Sequence, residues 1–228
     1  MVGYATSETP EMIPLEVQMA RDLNRFIYEV HPYDGKTQIT INDEKELEAV
    51  VVSFQNASAD ELRELVKEWI LARVHTPSTS IKIHANPAGD WSIGGFEADT
   101  GLTGRKLAVD NYGPRIPIGG GCFSGKDPSK VDRSAAYMAR QMAVDALKSL
   151  EADEVIVRLA YAIGYDQPVE ATAEITKNGD TRTIDLRGQK NYDLSPNGII
   201  EKLNLKRPIY SQTAEYGHFG NGFAWERG

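Results

Sequence analysis

An α+β fold, with sheets covered on one face by helices, is predicted by three features of this 228-residue sequence. Runs with period-two alternation or β-branched enrichment come in neighbouring pairs separated by turn residues. Between the pairs lie stretches whose apolar residues recur at helical spacing. One of these opens on Ser58-Ala59-Asp60-Glu61, a capping-box pattern that fixes a helix start.

Taken in order, residues 1–14 begin with a short strand-like run and continue in polar and proline punctuation. Neither the basic n-region nor the apolar h-region of a leader is expected there. Over residues 15–30, Val17, Ala20, Leu23, Ile27 and Val30 fall near helical period and predict an amphipathic helix. His31-Pro32-Tyr33-Asp34-Gly35 is turn chemistry. Residues 36–41 alternate and residues 49–55 are β-rich, so the two predict a hairpin around residues 42–46. After the capping box, Leu62, Leu65, Val66, Trp69, Ile70 and Val74 share one helical face. Residues 81–85 and 91–93 read as short strands flanking a turn at residues 86–89, and Gly94-Gly95 breaks the pattern. Residues 107–109 read as another strand, interrupted by Pro114 and Pro117.

Residues 129–150 predict a long helix with Ala135, Ala139, Met142, Ala143, Leu147 and Leu150 on its apolar stripe. Residues 154–164 suit a central strand, residues 168–176 a neighbour across a turn, and residues 181–186 an extension of that sheet. Ser195-Pro196-Asn197 opens a short helix through residue 203, and the tail from Tyr210 is rich in glycine and aromatics.

Composition narrows the function classes. A hydrophobic fraction of 41% supports a core, and a net charge of -8 argues against nucleic acid or an anionic membrane as the main partner. Any basic site must be local. The lone Cys122 excludes a disulfide within the chain, no Cys/His spacing suits zinc, and no apolar run reaches membrane-span length, which together lead us to expect a cytoplasmic protein.

Local cations do stand out. Gly119-Gly120-Gly121-Cys122-Phe123-Ser124-Gly125-Lys126 runs into Asp127-Pro128-Ser129-Lys130-Val131-Asp132 at a helix start. Backbone N–H groups bared by glycine, a helix dipole and two lysines suit a polyphosphate, with Asp127 and Asp132 as candidates for its divalent cation. The same residues also suit a tight turn before a solvated helix cap, and the spacing is not that of a Walker loop. Further cations sit beside glycines at Asp34-Gly35-Lys36 and Gly101-Leu102-Thr103-Gly104-Arg105-Lys106, where no apolar periodicity makes them a solvent-facing stripe.

These segments closely resemble the signatures of the S-adenosylmethionine synthetase (methionine adenosyltransferase) family. The likeness continues through Met1-Val2-Gly3-Tyr4-Ala5-Thr6, Lys36-Thr37-Gln38-Ile39-Thr40, Tyr161-Ala162-Ile163-Gly164, Pro208-Ile209-Tyr210 and Tyr216-Gly217-His218-Phe219-Gly220, in the family's order. The resemblance implies a fold of repeated sheet-plus-helix units, with one of the family's three units largely missing. Residues 1–93 are then expected to form one α+β unit whose first segment joins the C-terminal unit, residues 94–134 the active-site segment of the incomplete unit, and residues 135–228 the C-terminal unit.

The implied reaction is attack of the methionine sulfur on the ribose 5′ carbon of ATP, followed by cleavage of the released triphosphate to pyrophosphate and phosphate. By the same resemblance Lys36, Arg105, Lys106 and Lys126 are the catalytic phosphate cations and Asp132 a Mg2+ ligand, while K+ finds its usual ligand outside this chain. Asp34, Trp91, Asp99, Cys122, Lys130 and Ile163 are implied to line the substrates. Trp91 stands where the family usually has phenylalanine, and Cys122 where it usually has alanine. For Trp91 and Ile163, ordinary core or strand packing is an equally good account. Ile118 and Phe96-Glu97-Ala98 also depart from the family pattern.

Family members carry a His-Pro-Asp-Lys motif ahead of the point matched by Met1, with a phosphate-contacting histidine, a magnesium aspartate and a catalytic lysine. His31-Pro32-Tyr33-Asp34 is placed too late to replace it. The expectation is therefore one subunit of a heteromeric or split synthetase, with a second synthetase chain completing an interface site for ATP and methionine. The alternatives are a non-catalytic regulatory subunit that binds a complete synthetase and a self-sufficient minimal enzyme that finds the missing histidine, aspartate and lysine elsewhere.

Overall fold

The computed structural model describes residues 1–74, 77–188 and 191–227. Its elements run in the order β1 (Val2–Thr6), α1 (Leu15–Tyr28), β2 (Gly35–Ile41), β3 (Leu47–Phe54), α2 (Ala59–Arg73), β4 (Pro77–Ala85), α3 (Leu107–Asp110), α4 (Val131–Leu150), β5 (Glu154–Ala160), β6 (Glu170–Lys177), β7 (Asp180–Asp185) and α5 (Pro196–Lys202). The mixture of sheets and helices is the α+β class that the sequence predicts. The chain divides into two compact units, one made of Met1–Pro14 with Leu102–Gly228 and the other of Leu15–Gly101.

The contiguous unit is a three-stranded sheet, β2-β3-β4, with β2 antiparallel and β4 parallel to β3. A parallel neighbour needs a crossover, and α2 supplies it. Alternation along β3 turns Val50, Val52 and Phe54 inward, onto Leu23 and Ile27 of α1 and Leu62, Val66 and Trp69 of α2. The Trp69 indole donates to Asp22 at 2.7 Å and so ties the two helices together. The capping box forms as the sequence predicts, with the Glu61 amide donating to the Ser58 hydroxyl and the Ser58 amide to the Glu61 carboxylate. Gly35 lies flat against the Phe54 ring, where a Cβ has no room.

Residues 91–93 are not the strand expected from sequence. The Trp91 carbonyl accepts from the Asn56 amide at 2.9 Å and its indole donates to Ser53 at 3.0 Å, so its polar groups bond to a loop and a side chain rather than to a ladder.

The discontinuous unit is an antiparallel sheet in the order β1-β5-β6-β7, with α4 packed on β1 and β5. Gly3 of β1 passes so close to the backbone at Ala139 and Arg140 of α4 that only glycine fits. Arg140 is wholly buried and pairs with Glu226 at 2.8 Å. Its remaining N–H groups donate to the carbonyls of Tyr4, Met12 and Glu11, at 2.6, 2.7 and 2.8 Å, which fastens the first segment to the helix.

The strand expected at residues 107–109 is instead the helical turn α3. The Asp110 amide reaches the Lys106 carbonyl and the Asn111 amide the Leu107 carbonyl, both at 3.0 Å, and the Asn111 side chain donates to the same Leu107 oxygen. Three apolar residues in a row carry no period, so local capping decides the conformation. Among the described residues no helix is long and apolar enough to cross a membrane.

Candidate functional site

In the discontinuous unit the glycine run wraps an ion pair. Lys126 Nζ lies 2.6 Å from the Asp132 carboxylate, and a Cβ added at Gly121 would meet that ammonium at 2.9 Å. Gly120 likewise lies close to Asp132, so bare backbone forms the wall around the pair. Gly125 has φ +88°, the left-handed region that glycine takes without strain, and this turns the chain back so that the Lys126 amide bonds the Phe123 carbonyl. A second glycine corner leans on the first. Gly104, at φ +82°, packs on Cys122, and Thr103 approaches Gly125, which sets the Arg105-Lys106 corner beside the glycine run.

Arg105 and Lys106 are exposed and, among the described residues, neither is in an ion pair; the only bond from Lys106 Nζ is a 3.4 Å contact to the Arg105 carbonyl. Among the described residues these cations have no protein counter-charge. Lys130 differs, since it reaches Asp127 at 3.3 Å. Asp127 in turn accepts from the Ser129 amide at 2.8 Å, and its bonds to Ser129 and Lys130 hold its carboxyl down at about 2. Asp127 thus serves as the turn that starts α4 and leaves Asp132 as the nearby acid for a cation.

Among the described residues no group of three or more His, Cys, Asp or Glu side chains is placed to share a metal ion. Asp132 alone, with its side chain 44% exposed, fits a Mg2+ that takes most of its remaining oxygens from phosphates and water.

Beneath the loop lies a polar chain. Arg133, buried at 4% exposure, donates to the Lys126 carbonyl at 2.9 Å, to the Tyr137 hydroxyl at 2.9 Å and to the Thr213 hydroxyl at 3.0 Å. Tyr137 bonds His218 Nδ1 at 2.7 Å, and His218 Nε2 lies 3.3 Å from the Ser124 hydroxyl. A guanidinium can only donate, so the direction consistent with it has the Tyr137 hydroxyl donating a hydrogen bond to Nδ1 and Nε2–H donating to Ser124. Burial pushes the Tyr137 hydroxyl up to about 12, against the opposing pull of Arg133. The Tyr137 ring stacks on Trp225 at 3.8 Å.

Neither Arg133 nor Tyr137 is among the site residues expected from sequence. The available signal was the i,i+4 spacing of the two on one helix.

In the contiguous unit, Lys36 points outward from β2 opposite Ser53 and, among the described residues, has no ion-pair partner. Asp34 is exposed and accepts from the Gly95 amide at 3.0 Å. Asp99 is exposed and closes a turn on the Gly101 amide at 2.9 Å. Trp91 is half-buried beside Gly94.

Back in the discontinuous unit, Ile163 sits in the loop after β5 at 105% exposure, so core packing does not account for it. Lys126, Lys130, Asp132, Cys122 and the Arg105-Lys106 corner are gathered around one glycine run. Ile163 touches none of them through any observed bond.

Family models for the central domain and the C-terminal domain of S-adenosylmethionine synthetase match residues 1–91 and 93–227 respectively. An S-adenosylmethionine synthase of Petrotoga mobilis is 43% identical over an alignment of 251 residues, covering 100% of this chain and 63% of the relative. One from Pseudothermotoga lettingae is also 43% identical, covering 99% and 63%. The structure of an unusual S-adenosylmethionine synthetase from Campylobacter jejuni superimposes with a TM-score of 0.85 at 31% identity, covering 100% of this chain and 67% of that one. The chain therefore spans a little under two thirds of the length of the curated relatives it matches.

Proposed function

The chain belongs to the S-adenosylmethionine synthetase family, and from this premise we propose that it is one subunit of a heteromeric or split methionine adenosyltransferase of the cytoplasm. Its part is to hold the triphosphate of ATP while methionine sulfur attacks the 5′ carbon and the C5′–O bond breaks, after which the triphosphate is hydrolysed to pyrophosphate and phosphate. The observation that carries this reading is the pair of exposed cations Arg105 and Lys106, in no ion pair among the described residues, beside the glycine-walled Lys126.

Charge spread over three phosphates calls for fixed cations, and no protein nucleophile is needed. Arg105 and Lys106 meet the phosphates directly. Lys126 exchanges Asp132 for a phosphate oxygen, which frees Asp132 for Mg2+. When bound, Mg2+ neutralises charge on the leaving triphosphate. Lys36 adds a further phosphate contact, Lys130 and Asp99 lie toward methionine and the adenosine, and Asp34, Trp91, Cys122 and Ile163 line the nucleotide.

Residues 94–134 act as the site segment of a unit that the second chain completes, with that chain also providing the K+ ligand. Exposed Phe96, Leu102, Ile163 and Tyr165, at 88, 70, 105 and 69%, are apolar surface consistent with such a partner.

The test is to incubate the chain with ATP, methionine, Mg2+ and K+, alone and with candidate synthetase chains, and quantify S-adenosylmethionine. Product should require the mixture and fall on the order of 10²-fold or more with Lys126→Ala. Lys148→Ala, on the exposed face of α4, should leave it unchanged. Product from the lone chain would remove the need for a partner, and a mixture indifferent to Lys126→Ala would make this a regulatory subunit.

A further inference from the structure

Helix α4 buries two arginines in opposite electrostatic settings. Arg140 is neutralised by Glu226 at 2.8 Å, whereas Arg133, two turns earlier and equally out of water, has no carboxylate partner among the described residues. A buried cation without a counter-ion is costly, and the fold accepts that cost directly under the loop read above as a phosphate cradle. All three arms of the Arg133 guanidinium are used by neutral oxygens. One of those oxygens is the carbonyl of Lys126 itself. The plane is held from the other side by the Tyr210 ring, 4.2 Å from the guanidinium carbon, and the Thr213 hydroxyl donates onward to the Tyr210 carbonyl at 2.8 Å.

We propose that Arg133 is a positioning residue for Lys126: by gripping the lysine's own carbonyl it sets the direction in which the ammonium leaves the loop, and its uncompensated charge is oriented toward an incoming triphosphate. The proposal rests on the reading of the loop as a triphosphate cradle. A lysine at 133 would keep the charge but could not make three bonds in a fixed plane, so Arg133→Lys separates geometry from charge.

The experiment titrates inorganic tripolyphosphate with Mg2+ into the full chain, with its partner present if the assembly needs one. It compares wild type, Lys126→Ala, Arg133→Lys and the double variant by calorimetry, with near-ultraviolet circular dichroism of the aromatic cluster as the check on folding. Arg133→Lys should weaken tripolyphosphate about 10-fold, and in the Lys126→Ala background it should have no further effect. In turnover by the assembled enzyme, the same variant should lower kcat more than it raises KM for ATP.

If Lys126→Ala leaves tripolyphosphate binding intact, the cradle reading itself fails. If Lys126→Ala weakens binding but Arg133→Lys does not, or if the two losses add in full, the cradle stands and the positioning role of Arg133 is overturned. Should Arg133→Lys not fold, Thr213→Val removes a single oxygen acceptor from the guanidinium and carries the same expectation at about 3-fold. Unchanged binding in that variant counts against the proposal.

Discussion

Replacing Arg140 with methionine tests how the first segment is fastened to the discontinuous unit. The substitution removes the buried partner of Glu226 and takes one donor from each of the carbonyls of Tyr4, Met12 and Glu11, of which Met12 keeps the Thr6 amide at 3.3 Å. Breaking a buried ion pair costs about 3–5 kcal/mol when the other charge is stranded. Glu226 is not fully stranded, because the amides of Gly220, Asn221, Gly222 and Phe223 still donate to it. A carbonyl left with no donor adds about 1–3 kcal/mol in the limit of no relaxation, and water admitted by the shorter side chain recovers part of that.

The net expectation is a loss of about 4 kcal/mol, equivalent to a fall of roughly 10–20 °C in melting temperature for a unit of this size. Urea denaturation gives the free energy, and hydrogen exchange at the α4 amides assigns it to this unit rather than the contiguous one. Adding Glu226→Gln should restore about 1–2 kcal/mol, since no charge then remains buried. A loss below about 1 kcal/mol for Arg140→Met, with α4 exchange unchanged, would refute the account.

Three more outcomes follow from the geometry. Tyr137 is neutral in the folded protein up to about 12, while an unfolded tyrosine ionises near 10. Its stabilising contribution is therefore whole below pH 10 and lost as pH rises to about 12, at about 1.4 kcal/mol per pH step. Urea titrations of wild type and Tyr137→Phe should converge by about 2–3 kcal/mol over that window, and parallel curves would count against it. Gly3→Ala drives a methyl into the α4 backbone at Ala139 and Arg140 and should destabilise the discontinuous unit by about 1–3 kcal/mol, measured as a lower urea midpoint. Ser58→Ala removes one half of the α2 capping box and should cost about 0.5–2 kcal/mol, with hydrogen exchange rising at the start of α2 while α4 is unaffected.

Most of the fold was legible because its signals are local. The Ser58 capping box, the alternation of β2 and β3 and the small-residue stripe of α4 each declare themselves within a dozen residues. The differences arose where the apolar pattern is too short to read or where a distant partner decides. Residues 107–109 turn helical because Asn111 caps them, and Trp91 leaves the sheet because its indole finds Ser53. The parallel pairing of β4 with β3 carries no local mark at all.

At the candidate site the glycines and lysines were visible as a composition anomaly. Arg133 was not, because a charged residue on a helix is ordinarily read as a solvent-facing one. Only packing against Tyr210 and Thr213, far along the chain, puts it underneath the loop.

The strand order β1-β5-β6-β7 joins a ribbon made early in synthesis to partners made late, since Val2 must wait for Arg158. At bacterial or eukaryotic elongation rates of roughly 5–20 residues per second, that delay is about ten to thirty seconds. Residues 15–101, being contiguous, can close during this interval. The apolar side chains of Val2, Tyr4 and Ala5 cannot, and they travel on the ribosome as an unclaimed edge. Newborn chains stalled before residue 154 should for that reason be the ones that chaperones capture and that clump when chaperones are scarce.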